Sequence, residues 1–199
     1  GYFAGYAMTT GLYNTAIGGN ALKTNVDGDH NTAIGYLALE DFEADTDGHG
    51  HNTAIGSSSQ LNASTGTENT ALGSLSMGVG VTTGSENTAI GYQAGLSLTS
   101  ASNNVLVGNN AGDALTSGGA NVAIGSNALG TESSYGYNVA VGHNALKTLD
   151  AGANAYNTAL GFEAGKLMST GTGNTIMGGE AGDALTTGTH NVAIGYEAL

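Results

Sequence analysis

The stretch EDFEADTDGHGH, Glu40–His51, holds the densest set of metal-binding side chains in the chain. Glu43, Asp45, Asp47 and Gly48 follow the opening of a D-x-D-x-D-G calcium loop, where alternate carboxylates converge on one hard cation. The bidentate acid that closes such a loop is missing, because Ala54 stands in its place. His49 and His51, two positions apart, add imidazoles that suit a divalent transition metal. Asp27 and Asp29, in the preceding spacer, would come near if successive segments stack. Glu43, Asp45, Asp47, His49 and His51 therefore form a possible site for Ca²⁺ or another divalent cation, against the alternative of a solvated acidic loop. No other cofactor is implied.

Chemistry elsewhere is sparse. GFEAGKL, Gly161–Leu167, has the flavour of a phosphate loop, but only three residues separate Gly161 from Gly165 and no Ser or Thr follows Lys166. Lys23, Lys147 and Lys166 share one repeat position, nine after an Asn, so they form a surface column rather than a cluster. No paired-carboxylate cluster stands apart from the repeats, and no enzyme is expected. With three Lys+Arg against sixteen Asp+Glu, the net charge is −13, a field that repels nucleic acid and anionic membranes. No run of 18 apolar residues is present, so no membrane insertion is expected. The lack of Cys removes disulfides and thiolate metal sites.

What would position any of these groups is a repeat. An Asn recurs at Asn14, Asn31, Asn52, Asn69, Asn87, Asn104, Asn121, Asn138, Asn157, Asn174 and Asn191, and seven of the ten steps are 17 residues. Each Asn opens the phrase N-[TV]-A-[ILV]-G-x-x-A-[LG], and the length variation falls in the spacer that follows. The whole of 1–199 is one array of eleven such units preceded by a partial one. It starts and stops in mid-phrase, without the polar caps of a finished solenoid, so it is expected to be a segment of a longer fibre.

Thr, Val and Ile are strand formers, and alternation splits N-T-A-I-G into two faces. The face bearing Ile17, Ile34, Ile55, Leu72, Ile90, Val107, Ile124, Val141, Leu160, Met177 and Ile194 is expected to form the core. The Asn-Ala-Gly face is expected to meet copies of the same chain, with the Asn amides bonding from coil to coil as a ladder. The fold class is all-β: a parallel β-solenoid, or β-roll, of about 17 residues per coil. Short helical turns are expected in the second half of each coil, where sequences such as HNALKT (His143–Thr148) are helix-friendly. Closed symmetry suits such a chain, and a homotrimer about a long axis is expected.

These phrases, NVAIGSNAL (Asn121–Leu129) and NVAVGHNAL (Asn138–Leu146) among them, resemble the head repeats of trimeric autotransporter adhesins. The longer unit, T-G-x-x-N-T-A-I-G-Y-x-A-L, is similar to repeats of bacteriophage tail fibres. The resemblance spans essentially the whole chain and implies an elongated homotrimeric fibre. The unit is longer than the autotransporter head unit, and no stalk or fibre-chaperone sequence lies within it.

The expected function is that of a structural protein: an extracellular fibre shaft, most readily of a phage tail fibre in a virion, holding a tip that binds a host surface glycan or protein. The alternative is a bacterial trimeric surface adhesin or extracellular filament that binds along its sides. Exposed aromatics one residue after the repeat Gly (Tyr2, Tyr36, Tyr92, Phe162, Tyr196) would either stack on sugars or cover joints between coils. A remote alternative is an ice-binding solenoid, since the position after the Asn is Thr in seven units and Val in four.

Overall fold

The computed structural model describes residues 1–43 and 49–199. Eleven three-residue strands run along one side of the molecule: β1 (Thr15–Ile17), β2 (Thr32–Ile34), β3 (Thr53–Ile55), β4 (Thr70–Leu72), β5 (Thr88–Ile90), β6 (Val105–Val107), β7 (Val122–Ile124), β8 (Val139–Val141), β9 (Thr158–Leu160), β10 (Thr175–Met177) and β11 (Val192–Ile194). They form one sheet in chain order, every neighbour parallel and every repeat position on its counterpart, as Ala123 on Ala140. The protein is a parallel β-solenoid. Spacers that differ in length leave the register untouched: the 21-residue step from Asn31 to Asn52 still sets Thr32 on Thr53.

The strand closes at the repeat Gly. Gly35 has φ 139°, a conformation that strains any L side chain, and a Cβ there would collide with the Gly56 carbonyl of the next coil. Gly35 N–H meanwhile donates to Ile17 O at 2.7 Å, so this column carries the coil-to-coil ladder past the strand end.

The second half of the coil is turns, and no helix forms among the described residues. The expected helical turns fail for a local reason. Asn20 and Leu22 both take left-handed φ, 57° and 51°, while Ala21 between them does not. Alternating handedness cannot propagate a helix. The same two positions are left-handed in Leu37 and Leu39, and in Asn144 and Leu146. What the alternation achieves is two consecutive side chains aimed inward: Ala21 with Leu22, Ala38 with Leu39, and Ala145 with Leu146 are all fully buried.

The core is therefore built differently from the expectation. The strands contribute their Ala column (Ala33, Ala54, Ala71, Ala89, Ala123, Ala140 and Ala159, each fully buried), and the turns contribute the bulk. Where the turn offers Leu at the left-handed position, as Leu129, that side chain fills the coil. Where it offers Gly, a large residue three positions on replaces it: Gly95 with Leu98, Gly112 with Leu115, and Gly165 with Met168. Strand Ala is itself enlarged next to such glycines, to Leu106 in β6 and Ile176 in β10. Cross-section volume is thus held steady by exchange among three positions, as close packing demands.

The expected core column is corrected by this arrangement. Ile17, Leu72, Ile124, Leu160, Met177 and Ile194 are exposed, and Ile34, Ile55, Ile90, Val107 and Val141 are only partly covered. A coil this thin, already filled by turn Leu, accepts a methyl from the strand and little more. The large strand residues must point outward.

Candidate functional site

The Asn residues lie inside, on the same face as the Ala column, and most of their amide groups are hydrogen-bonded, the buried Asn31 Nδ2 being an exception. The backbone N–H of Asn121 donates to Asn104 Oδ1 at 2.9 Å, and that of Asn138 donates to Asn121 Oδ1 at 3.0 Å. In most coils Nδ2 reaches the turn carbonyl of the following coil: Asn104 to Gly118 O at 3.1 Å, Asn157 to Gly171 O at 2.8 Å, Asn174 to Gly188 O at 2.8 Å. The bonding between successive Asn runs unbroken: Asn31 takes Asn14, Asn52 takes Asn31, Asn69 takes Asn52, Asn87 takes Asn69, Asn104 takes Asn87, and Asn157, Asn174 and Asn191 continue it. One side chain such as Asn104 thus satisfies both a backbone donor and a backbone acceptor ahead of it in the chain. A buried turn leaves both kinds of group in need of partners.

Outward from the same strands lies an open face. Its two columns, Thr or Val after each Asn and Ile, Leu, Val or Met two further on, stay in register over all eleven strands. Ile17 is 57% exposed, Ile124 39% and Ile194 64%. A flat apolar strip of this extent is not a normal feature of a free-standing soluble surface.

The acidic spacer gives less. Asp45 and Asp47 lie outside the described residues. Burial pushes the Glu43 carboxyl above its ordinary range, and the nearby Asp27 carboxylate pushes it further, against a lowering backbone bond at Val26. Asp27 Oδ1 is buried without a partner. Among the described residues no group of three His, Cys, Asp or Glu would hold a metal ion. His51 stacks at 4.8 Å on His30, which stacks at 4.8 Å on Tyr13, so its ring is engaged in an aromatic column. His49 is tied in through its carbonyl, which accepts the Asp29 N–H at 3.0 Å.

The remaining polar groups are structural. Lys23 pairs with Glu40 of the next coil at 3.1 Å, and Lys166 with Glu163 at 2.9 Å. Such surface pairs contribute little. Glu132 is fully buried and accepts N–H bonds from Tyr135, Ala151 and Ser134 at 3.1, 3.3 and 3.4 Å. It stands three positions after Leu129, where other coils place a core Leu, and caps the turn instead. Its one signal in the sequence is an acid in a column that is otherwise mostly apolar. Asn25 does the same in its own coil, closing on Gly28.

Compared with protein-family models, with curated proteins and with solved structures, the chain matches none.

Proposed function

We propose that the chain is a shaft segment of a homotrimeric extracellular fibre, with the open Thr/Ile face as the surface where three copies meet. The observation that carries this is the unbroken apolar strip outside the sheet, from Ile17 to Ile194. Water contact along it is unfavourable by about 25 cal/mol per Å² of apolar surface. A second copy turned by a rotation axis along the rod would cover it and repeat the same contact at every coil. The mechanism is mechanical: hydrogen-bonded coils transmit load along the axis and hold a receptor-binding tip at a distance. A phage tail fibre is the setting we favour, on the resemblance of its repeats. A bacterial adhesin or filament is the alternative setting for the same rod.

Sedimentation velocity with light scattering tests the reading. A trimer of extended shape is expected, reduced to monomer by Ile124→Asp together with Ile90→Asp while the β circular dichroism persists. A wild-type chain that stays monomeric at high concentration would sink it.

A second reading uses the same face. Thr32, Thr53, Thr70 and Thr88 follow one another in register on the outside of β2 to β5, at the strand spacing of about 4.8 Å. Regular hydroxyls and methyls of this kind would order water against ice. Thermal hysteresis of a purified monomer, abolished by Thr70→Lys, is its test; freezing indistinguishable from a control protein removes it.

A further inference from the structure

One column of side chains stands outward just before the Asn ladder: Glu68, Glu86, Asn103, Ala120, Tyr137 and Tyr156 in successive coils. Tyr137 and Tyr156 lie nearly parallel, 9° apart, with ring centroids separated by 5.0 Å. One ring therefore occupies one coil step. On its other side Tyr137 faces the coil of Ala120, and a methyl covers little of an aromatic face. The stack is interrupted at Ala120 by the width of one ring, and it resumes beyond with the amide of Asn103.

The interruption opens a surface groove of about 350 Å³, lined by Asn103, Ala120 and Tyr137 together with hydroxyls of neighbouring coils and Asn154. This is near the lower bound of ordinary small-ligand sites. A second interruption coincides with it. In the adjacent column Thr67 N–H donates to Ser85 Oγ and Ser85 N–H to Ser102 Oγ, both at 3.0 Å. The next two residues in that column are Gly119 and Gly136, which bring no side-chain acceptor to the N–H groups of Ser102 and Gly119. The ladder resumes when Gly136 N–H donates to Asn154 Oδ1 at 3.2 Å.

The geometry points to a binding site for a neutral pyranose sugar. Its ring takes the place vacated at Ala120, with its C–H face on Tyr137 and its edge toward Asn103. Its hydroxyls then supply acceptors where Gly119 and Gly136 supply none, and meet Ser134 and Asn154. The chemistry of the lining selects this class. No charged side chain lines the groove, and the chain's net charge of −13 disfavours anions. No large aliphatic side chain is present to hold a peptide anchor. Hydroxyls and amides beside one bare aromatic face match a polyol with one apolar face. The site belongs to a single chain and is independent of the fibre reading.

Saturation-transfer NMR of the whole chain tests it, with the methyl glycosides of glucose, galactose, mannose and N-acetylglucosamine as probes and methyl glucuronide as the anionic control. Transfer to ring C–H protons of at least one neutral probe is expected, and none to the glucuronide. Ala120→Tyr continues the stack as Tyr137 and Tyr156 do, and is expected to abolish transfer with an unchanged circular dichroism spectrum. Tyr137→Ala is expected to weaken binding at least tenfold. Absence of transfer to every neutral probe, or transfer that survives Ala120→Tyr, overturns the proposal. So does preferential binding of the glucuronide.

Discussion

The Leu106 Cδ1 atom lies 2.8 Å from where a Cβ on Gly95 would be, and its Cδ2 lies 2.8 Å from the same point on Gly112. One enlarged strand residue thus occupies the room that two turns, one in its own coil and one in the preceding coil, leave empty. Ile176 stands in the same relation to Gly165 and Gly182, at 3.0 and 3.2 Å. The interior is a shared volume, divided between strand and turn differently from coil to coil.

That division predicts coupling. Leu106→Ala opens a cavity and is expected to cost about 2–5 kcal/mol. Gly95→Ala presses a methyl against Leu106 and Leu98 at φ 58°, and is expected to cost about 1–3 kcal/mol. Together they are expected to cost less than the sum by roughly 0.5–3 kcal/mol, since each relieves the other. Urea unfolding of the four proteins in the cycle measures it; strict additivity would remove the shared-volume account.

The Asn ladder predicts a different pattern. Asn104 accepts the Asn121 N–H at 2.9 Å and donates to Gly118 O at 3.1 Å and to Asn87 Oδ1 at 3.0 Å. Asn104→Ala leaves a donor and an acceptor buried without partners, at about 1–3 kcal/mol each. Asn104→Asp is expected to fare no better, because it restores the acceptor and sets a charge against two oxygens. Amide hydrogen exchange should show the Asn121 N–H losing protection first. Equal loss across all coils would argue for a merely global effect.

Neighbouring residues in one strand separate the two faces. Ala123 is fully buried, whereas Ile124 is 39% exposed. Ala123→Asp is expected to abolish the β signal in circular dichroism, and Ile124→Asp to leave it. The opposite result would restore Ile to the interior.

This pair also marks how far the sequence could be read. The parallel stack, the register and the place of every strand were legible, because the Asn and Gly spacing repeats the coil itself. Which face turned inward was not. Side-chain size favours burying Ile17 and Ile124 over Asn14 and Ala123, and only the turn decides otherwise, by filling the coil with Leu22 or Leu129. That those leucines sit at φ 51° and 53° has no signal in residue type, since Leu disfavours that region. The column itself gave a clue, in that Gly replaces Leu there and nowhere brings Ala. The groove beside Ala120 was equally hidden: its gap is visible only once Tyr137 and Tyr156 are known to stack.

Mild acid is expected to stabilise the rod. Burial raises the carboxyls of Glu132, Asp113 and Glu43 above their ordinary values, with backbone N–H bonds opposing the rise in each. A group whose pKa is raised by folding contributes its full stabilisation below the unfolded value and loses it as pH rises through the folded one. The contribution of these three is full below the unfolded-state values, 4.5 for Glu132 and Glu43 and 3.8 for Asp113, and is lost as pH rises above them. Relief of self-repulsion in a chain of charge −13 acts in the same direction. Glu163 opposes them, its carboxyl lowered by Lys166, but that pair lies at the partly exposed surface and is screened. The thermal midpoint should therefore rise between pH 7 and pH 5. Glu132→Gln keeps an oxygen for the Tyr135 and Ser134 N–H groups, and should flatten part of that rise. High salt separates the contributions, because it screens the overall repulsion and leaves the burial of Glu132 in place. A midpoint that falls on going from pH 7 to pH 5 would contradict the assignment of Glu132 as a charge held against its preference.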